Sequence, residues 1–234
     1  YIVSNDRSHR NILRLLSGDP EWCPDFAHGR EFKLSVEIIV CDAFAGYDTA
    51  ARLHNEEAGA SQISLARCLQ HANRLVIRSV DNMGLDKIYL KLTEEDFVKF
   101  SEKLEAYAKE YDLTQIDQNL LKVRYYIEAL YRIEHFMSDQ DLECNEENII
   151  KEKRHIARKI MCEIFALSRE SIKLAGNLIT RTMKNGRAHY ECRNPGTWLQ
   201  ALCYLLNSER DFMTFTKRTD VPLTNNLAER MIRK

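Results

Sequence analysis

The feature that most constrains this fold is a helical spacing of apolar residues, which runs almost unbroken from about Thr93 onward. Apolar side chains return every three or four positions, as they do when one face of an α-helix packs against a core. Only 8 glycines and 4 prolines occur among 234 residues, so little in the sequence interrupts long helices. We predict a predominantly helical protein in which Thr93–Asp96 begins a helix. The helices that follow carry the apolar sets Phe97 to Tyr107, Ile116 to Ile133, Ile149 to Ile172 and Trp198 to Leu206.

The first 85 residues follow a different pattern, which is typical of alternating strands and helices. Val36–Cys41 is a short, β-branched apolar run and predicts a buried strand. A helix over Ala43–His54, a weaker strand over Ile63–Cys68 and a helix over Leu69–Val80 are predicted after it. The simplest architecture is a small α/β core interrupted by helices.

The amino-acid composition indicates a globular protein rather than a membrane or disulfide-rich one. Hydrophobic residues make up 44% and charged residues 29%, which is ordinary for a globular protein with a real core. No apolar run approaches the roughly 18 residues of a membrane span, so we expect no membrane partner. The seven cysteines are scattered and form no CxxC pair, which favours free thiols in a reducing cytoplasm. Because the chain opens on Tyr1 and stops at Lys234 within a helical pattern, we expect it to be part of a longer protein.

Charge is balanced overall but unevenly distributed. The net charge is -1, yet residues 86–147 hold 8 lysines and arginines against 16 acidic residues, and residues 151–187 hold 10 against 3. Lys151, Arg154 and Arg158 are predicted to share one face of a long helix, which runs towards a connector bounded by Asn185-Gly186 and Asn194–Gly196. This asymmetry fits either a surface that faces a polyanion or two helices that pair through complementary charge.

Two short motifs stand where strands are predicted to end. Asp42 follows the better strand, at the end where open α/β sheets place ligands, although an aspartate there also caps a helix. Cys68 and His71 follow the second strand as Cys-x-x-His. That spacing supplies half a zinc site, but no second pair follows at a suitable distance, so a core cysteine and a histidine bonded to backbone are the simpler interpretation.

The segment after Pro222 offers a second candidate acid. Asn225 and Asn226 are suited to cap a helix, and Glu229 and Arg230 would lie in its first turn. In a capping box, Glu229 reaches back to the Asn226 amide. Alternatively, a carboxylate fixed early in a helix beside an arginine holds a metal ion near a phosphate.

The order of these motifs resembles the insertion-sequence-66 type of bacterial transposase. The resemblance rests on Asp42-Ala-Phe-Ala-Gly-Tyr47, on Cys68-Leu-Gln-His-Ala-Asn-Arg74, and above all on Pro222-Leu-Thr-Asn-Asn-Leu-Ala-Glu-Arg-Met-Ile-Arg233. It covers both ends of the chain well and the helical middle only in kind.

The resemblance implies a ribonuclease-H-like core of the Asp-Asp-Glu class, interrupted by a large all-helical insertion. Residues 1–85 would belong to the core, residues 86–215 to the insertion, and residues 216–234 to a helix that returns to the core. Asp42 and Glu229 would be two of the three catalytic acids and would hold Mg²⁺ or Mn²⁺, with Cys68, His71, Asn225 and Asn226 supporting them. The implied reaction is metal-dependent DNA cleavage and strand transfer.

The resemblance also implies partners. These are the transposon ends and the target DNA, bound by a homo-oligomer in the bacterial cytoplasm at the nucleoid. DNA-contacting residues would be Arg74, Arg230, Arg233, Lys151, Arg154 and Arg158, since arginine suits phosphate oxygens.

One departure from the family pattern bears on activity. The first acid is expected on an earlier strand, and no aspartate before Asp42 stands in a strand pattern. We therefore expect the chain by itself not to cleave DNA. Two other hypotheses stay open: a degenerate transposon remnant that binds DNA, and a helical interaction domain in which Glu229 is only a cap.

Overall fold

The structure is a computed structural model that describes residues 37–42, 45–56, 62–94, 99–136, 146–184, 186–193 and 198–224. Its contacts divide the chain into two compact units. One unit combines residues 1–68 with 220–234, and the other comprises residues 69–219. The domain boundaries expected at 85/86 and 215/216 stay a prediction.

The first unit contains a strand–helix–strand arrangement. Strand β1 (Ile38–Cys41) pairs in parallel with β2 (Ser64–Arg67), and α1 (Ala45–Glu56) connects them. The register sets Ile38 beside Ser64 and Cys41 beside Arg67. One core holds the strands and the helix together, and its buried members are Ile39, Cys41, Ala50, Ala51, Ile63 and Leu65. Both predicted strands and the helix between them are confirmed, each within a few residues of the expected bounds.

The second unit is mainly helical. Its first three helices are α2 (Leu69–Asn82), α3 (Asp86–Glu94) and α4 (Phe100–Glu110). Two long helices follow, α5 (Gln115–Phe136) and α6 (Glu146–Ala175). A 3₁₀ turn (Gly176–Leu178) then leads into a hairpin of β3 (Ile179–Lys184) and β4 (Arg187–Cys192). The unit ends with α7 (Trp198–Asn207), the short α8 (Glu209–Phe212) and a 3₁₀ turn (Phe215–Lys217).

Helix α7 forms the centre of this second unit. It packs against α2, α6 and β4. Six of its ten residues are buried: Leu199, Ala201, Leu202, Cys203, Leu205 and Leu206. A helix that is apolar nearly all round is stable only when other elements cover it on several sides, and α7 meets this condition.

Aromatic packing joins α3, α4 and α5, the three helices within the acidic segment of residues 86–147. Phe100 on α4 stacks on Tyr125 of α5 with ring centroids 4.1 Å apart, and Tyr89 on α3 lies 6.2 Å from Phe100. The Arg124 guanidinium lies 3.9 Å from the centre of the Tyr89 ring. The buried Tyr89 hydroxyl donates a 2.7 Å hydrogen bond to Glu128. Burial, and then this bond to Glu128, raise the pKa of the Tyr89 phenol well above its ordinary value.

The helix start expected at Thr93 is wrong. Thr93 and Glu94 are the last residues of α3, which begins seven residues earlier at Asp86. The Thr93 hydroxyl donates to the Tyr89 carbonyl at 3.0 Å, a bond to the preceding turn of its own helix. A threonine followed by acidic residues resembles a helix start in sequence, but its hydroxyl is equally able to bond backwards inside a helix.

The helix predicted over Ile149 to Ile172 is confirmed, but the basic segment of residues 151–187 is not a single helix. Helix α6 ends at Ala175, and Gly176 adopts a positive φ of 54°. The predicted connector is instead the β3–β4 hairpin, and Gly186 in its turn has φ 73°. The predominantly helical fold is confirmed. No helix among the described residues is long and apolar enough to cross a membrane.

Candidate active site

The candidate site lies at the carboxyl edge of the β1–β2 pair. Because the two strands are parallel, their last residues lie side by side, and the Cys68 amide donates a 2.9 Å hydrogen bond to the Cys41 carbonyl. Asp42 follows β1 at this edge and is half-buried. Cys68 follows β2 and is fully buried. The structure therefore brings together the ends of the two strands on which the sequence motifs were placed.

A buried arginine that the sequence analysis missed holds this edge together. The Arg67 guanidinium donates from Nη1 to the Asp42 carbonyl at 2.6 Å and to Cys41 Sγ at 3.4 Å. Its Nη2 donates to the carboxylate of Asp48, which lies in the first turn of α1. Arg67 thus connects the end of β1 to the start of the helix that follows, with Asp42 between the two. The sequence signal was an arginine directly after Leu65 and Ala66 in a predicted strand, where a buried charge needs a partner.

The other end of α1 is fastened to β2 by an asparagine. Asn55 Nδ2 donates to the Ile63 carbonyl at 2.9 Å, and the Ile63 amide donates to Asn55 Oδ1 at 2.7 Å. The Asn55 side chain thus bonds both backbone groups of Ile63, the residue that precedes β2, as a neighbouring strand would. Both ends of α1 are therefore tied to the strands, which fixes the backbone around Asp42.

His71 and Arg74 lie on α2, at the start of the second unit. His71 is half-buried, and its Nδ1 is buried with no hydrogen-bond partner among the described residues. Arg74 is exposed. Within those residues, no group of three His, Cys, Asp or Glu side chains is arranged to hold a metal ion.

The second candidate acid lies beyond the part of the chain that the structure describes. Asn225, Asn226, Glu229, Arg230 and Arg233 all fall outside it. The residues just before them, Val221 and Leu223, are buried and belong to the same compact unit as Asp42. The meeting of Asp42 with Glu229 stays a prediction.

The three basic residues predicted on one face of α6 have different environments. Lys151 and Arg158 are exposed, and Lys151 pairs with Glu147 at 2.7 Å. Arg154 is buried and forms a two-pronged pair with Glu134 of α5, with its closest approach at 3.0 Å.

This difference favours complementary pairing of the two helices at that point of contact. The Arg154 guanidinium also lies 5.5 Å from the centre of the Phe215 ring. Arg154 therefore lies between α5, α6 and the last 3₁₀ turn rather than on an exposed basic face. For Arg154 to contact DNA as predicted, its interactions with Glu134 and Phe215 would have to be replaced by contacts with phosphate.

Comparison with models of known protein families shows to which family the chain belongs. The model of the Transposase IS66 family matches residues 1–234, the whole chain. The chain belongs to the IS66 transposase family. This match confirms the resemblance carried by the Asp42, Cys68-x-x-His71 and Asn225–Arg230 motifs. No curated protein and no solved structure shows significant similarity to this IS66-family chain.

Proposed function

We propose that this IS66-family chain supplies Asp42 and Glu229 as carboxylate ligands of the metal ions that drive DNA strand cleavage and transfer. The observation that carries the proposal is the position of Asp42 at the carboxyl edge of a parallel strand pair, in a chain whose full length matches a transposase family. Residues 220–224, which lead into the Glu229 segment, belong to the same compact unit as Asp42, which supports the proposal.

The chemistry requires acidic ligands that converge on one point. Cleaving and rejoining a phosphodiester develops negative charge on the attacking and leaving oxygens, and two divalent ions about 3.5–4 Å apart stabilise both. Carboxylate oxygens are the ligands that Mg²⁺ takes, and Mn²⁺ accepts similar ones. Asp42 fits as one such ligand. Under the proposal Glu229 supplies a second ligand, and the first acid of the Asp-Asp-Glu set is expected on a strand upstream of the one that Asp42 follows.

The other site residues follow from this arrangement. Under the proposal, Arg230, Arg233 and Arg74 bind phosphate oxygens of the DNA, and Asn225 and Asn226 hold the start of the Glu229 helix. Cys68, which is buried after the end of β2, and His71 are proposed as supporting residues. The chain would take the ribonuclease-H-like fold of the Asp-Asp-Glu class and act as an oligomer on paired transposon ends.

Metal binding tests the proposal without relying on activity. Titration of Mn²⁺ into the purified chain, followed by electron paramagnetic resonance, is expected to show binding that Asp42→Asn and Glu229→Gln each weaken by tenfold or more. Far-UV circular dichroism should stay unchanged in both variants. Glu56→Gln is the matched control, because Glu56 is an exposed acid on α1 in the same unit and is paired with Arg52.

The same titration separates a ligand from a helix cap. Glutamine keeps the side-chain oxygen that a capping box uses, so a capping Glu229 tolerates Glu229→Gln. Mn²⁺ affinity equal to that of the unmodified chain in both Asp42→Asn and Glu229→Gln would show that these acids are not metal ligands.

A further inference from the structure

We propose that the β3–β4 hairpin is a DNA-contacting ribbon, a role that rests on the transposase function proposed above. The hairpin projects three exposed cations, Arg181, Lys184 and Arg187. In the part of the chain that the structure describes, none of the three has an acidic partner. The single acid of the hairpin, Glu191, lies 3.4 Å from His189 on the same strand. The ribbon therefore presents positive charge that no described side chain neutralises.

The elements beneath the hairpin do not supply the missing negative charge. Strand β4 packs on α7, whose sequence contains no charged residue. The Asn207 side chain at the end of α7 bonds the Tyr190 backbone twice, by accepting from its amide at 2.8 Å and donating to its carbonyl at 2.9 Å. The ribbon is thus anchored along β4 by neutral groups, and its cations are left for an external partner.

The register adds a local cost that a polyanion would relieve. Lys184 lies directly opposite Arg187 at the last rung of the ladder. Like charges in directly opposed positions destabilise a strand pair. A phosphate group between or beside the two side chains would turn this repulsion into two favourable contacts.

The dimensions of the ribbon suit duplex DNA. Six residues per strand span about 20 Å, and the major groove of B-form DNA admits a two-stranded ribbon. Lys184 and Arg187 share one face, whereas Arg181 lies on the other face with Met183, whose side chain is 65% exposed. A hairpin that enters a groove by its tip has a phosphate backbone on each side, so cations on both faces fit this geometry better than they fit a flat acidic surface.

The test compares two triple substitutions that remove the same charge from different places. Arg181→Gln, Lys184→Gln and Arg187→Gln are combined in the hairpin variant. The control variant combines Lys87→Gln, Lys99→Gln and Lys109→Gln, three exposed positions in the acidic segment. Binding of a fluorescent duplex of arbitrary sequence is followed by anisotropy over a series of KCl concentrations.

The hairpin variant is expected to bind DNA at least tenfold more weakly than the unmodified chain at moderate salt. The slope of log affinity against log salt should fall in magnitude by about 2–3, since each lost phosphate contact contributes roughly 0.9. The control variant should keep both its affinity, within about twofold, and its salt slope. Circular dichroism spectra of all three proteins should coincide.

The inference is overturned if the hairpin variant binds DNA as the unmodified chain does, if both variants lose affinity equally, or if the unmodified chain does not bind the duplex. These results are distinct from a failure of the metal proposal. Asp42→Asn is expected to lose Mn²⁺ while keeping DNA affinity, so an unchanged Mn²⁺ titration would refute the carboxylate assignment and leave the hairpin result standing.

Discussion

The ion pair between Arg67 and Asp48 joins two side chains of very different exposure, and this difference predicts how each deletion acts. The Arg67 side chain is 3% exposed, whereas that of Asp48 is 49% exposed. Arg67→Met leaves a carboxylate that water can hydrate. Asp48→Ala leaves a guanidinium buried without that counter-ion. We therefore expect Asp48→Ala to destabilise the first unit more than Arg67→Met does.

The magnitudes follow from the contacts that each variant loses. A hydrogen bond to a charged group contributes about 1.5–3 kcal/mol, so Arg67→Met should lower the free energy of unfolding by about 2 kcal/mol. Removing one member of a buried pair costs about 3–5 kcal/mol. Because Arg67 keeps its bond to the Asp42 carbonyl, we expect about 3 kcal/mol for Asp48→Ala, the lower end of that range. The double variant buries no charge at this position and should cost about 2 kcal/mol, not the roughly 5 of independent sites.

Native-state hydrogen exchange measures the loss of stability in the first unit, because peptides that cover residues 38–41 and 64–68 report on the strand pair. The exposed Arg52–Glu56 pair on the same helix is the control, with side chains 49% and 59% exposed. Arg52→Met and Glu56→Ala should each change stability by no more than about 0.5 kcal/mol. Additive costs in the Arg67/Asp48 double variant, or a larger cost for Arg67→Met than for Asp48→Ala, would contradict the argument.

Two further predictions concern the second unit. Burial, and then Glu128, raise the pKa of the Tyr89 phenol. Above about pH 10 the unfolded chain therefore releases this proton while the folded chain keeps it. The contribution of Tyr89 to stability is complete below pH 10 and is lost as the pH rises above that value. In urea unfolding, the free energy of unfolding should decline less steeply above pH 10 in Tyr89→Phe than in the unmodified chain, by up to about 1.4 kcal/mol per pH unit. Equal slopes in the two proteins would refute this prediction. Asn207→Ala removes both bonds to the Tyr190 backbone and should cost about 1–2 kcal/mol, with faster amide exchange in β4. Equal exchange in the variant and the unmodified chain would show that the hairpin is anchored by other contacts.

Most helices of this chain and the two strands beside the candidate site were predictable from local spacing. The two strands beside the candidate site, the helix between them and the long helices α5, α6 and α7 lie within a few residues of their predicted bounds. The reason is that an element with one buried face shows a periodic apolar pattern, whereas an element buried on several sides shows a nearly continuous apolar run. The order of the Asp42, Cys68-x-x-His71 and Asn225–Arg230 motifs was also enough to indicate the family that the comparison confirmed.

The hairpin was missed although its turn signal was present. Asn185-Gly186 is a preferred two-residue hairpin turn, and the flanking residues include several of β-branched or aromatic type. The strands are only partly buried, so neither face shows the alternation that identifies a strand. The basic residues of β3 and β4 also continue the positive charge of α6, so charge does not mark the change from helix to strand.

The orientation of α6 was decided by its neighbours rather than by its own sequence. The apolar spacing predicted Ile156 on the core face, yet Ile156 is 38% exposed, and the buried side includes Arg154, Ala157 and Met161. An arginine is stable there because Glu134 on another helix provides its countercharge. No spacing within α6 contains that information.

The sequence indicated most of the helices, the two strands beside the candidate site and the family, because these depend on local spacing and on short motifs. That Arg67 holds the Asp42 backbone and that Arg154 is buried follows from the tertiary structure instead. Burying a charged side chain is unfavourable unless a partner is in place. For Arg67 and Arg154 those partners lie about twenty residues away in sequence and meet them only after folding.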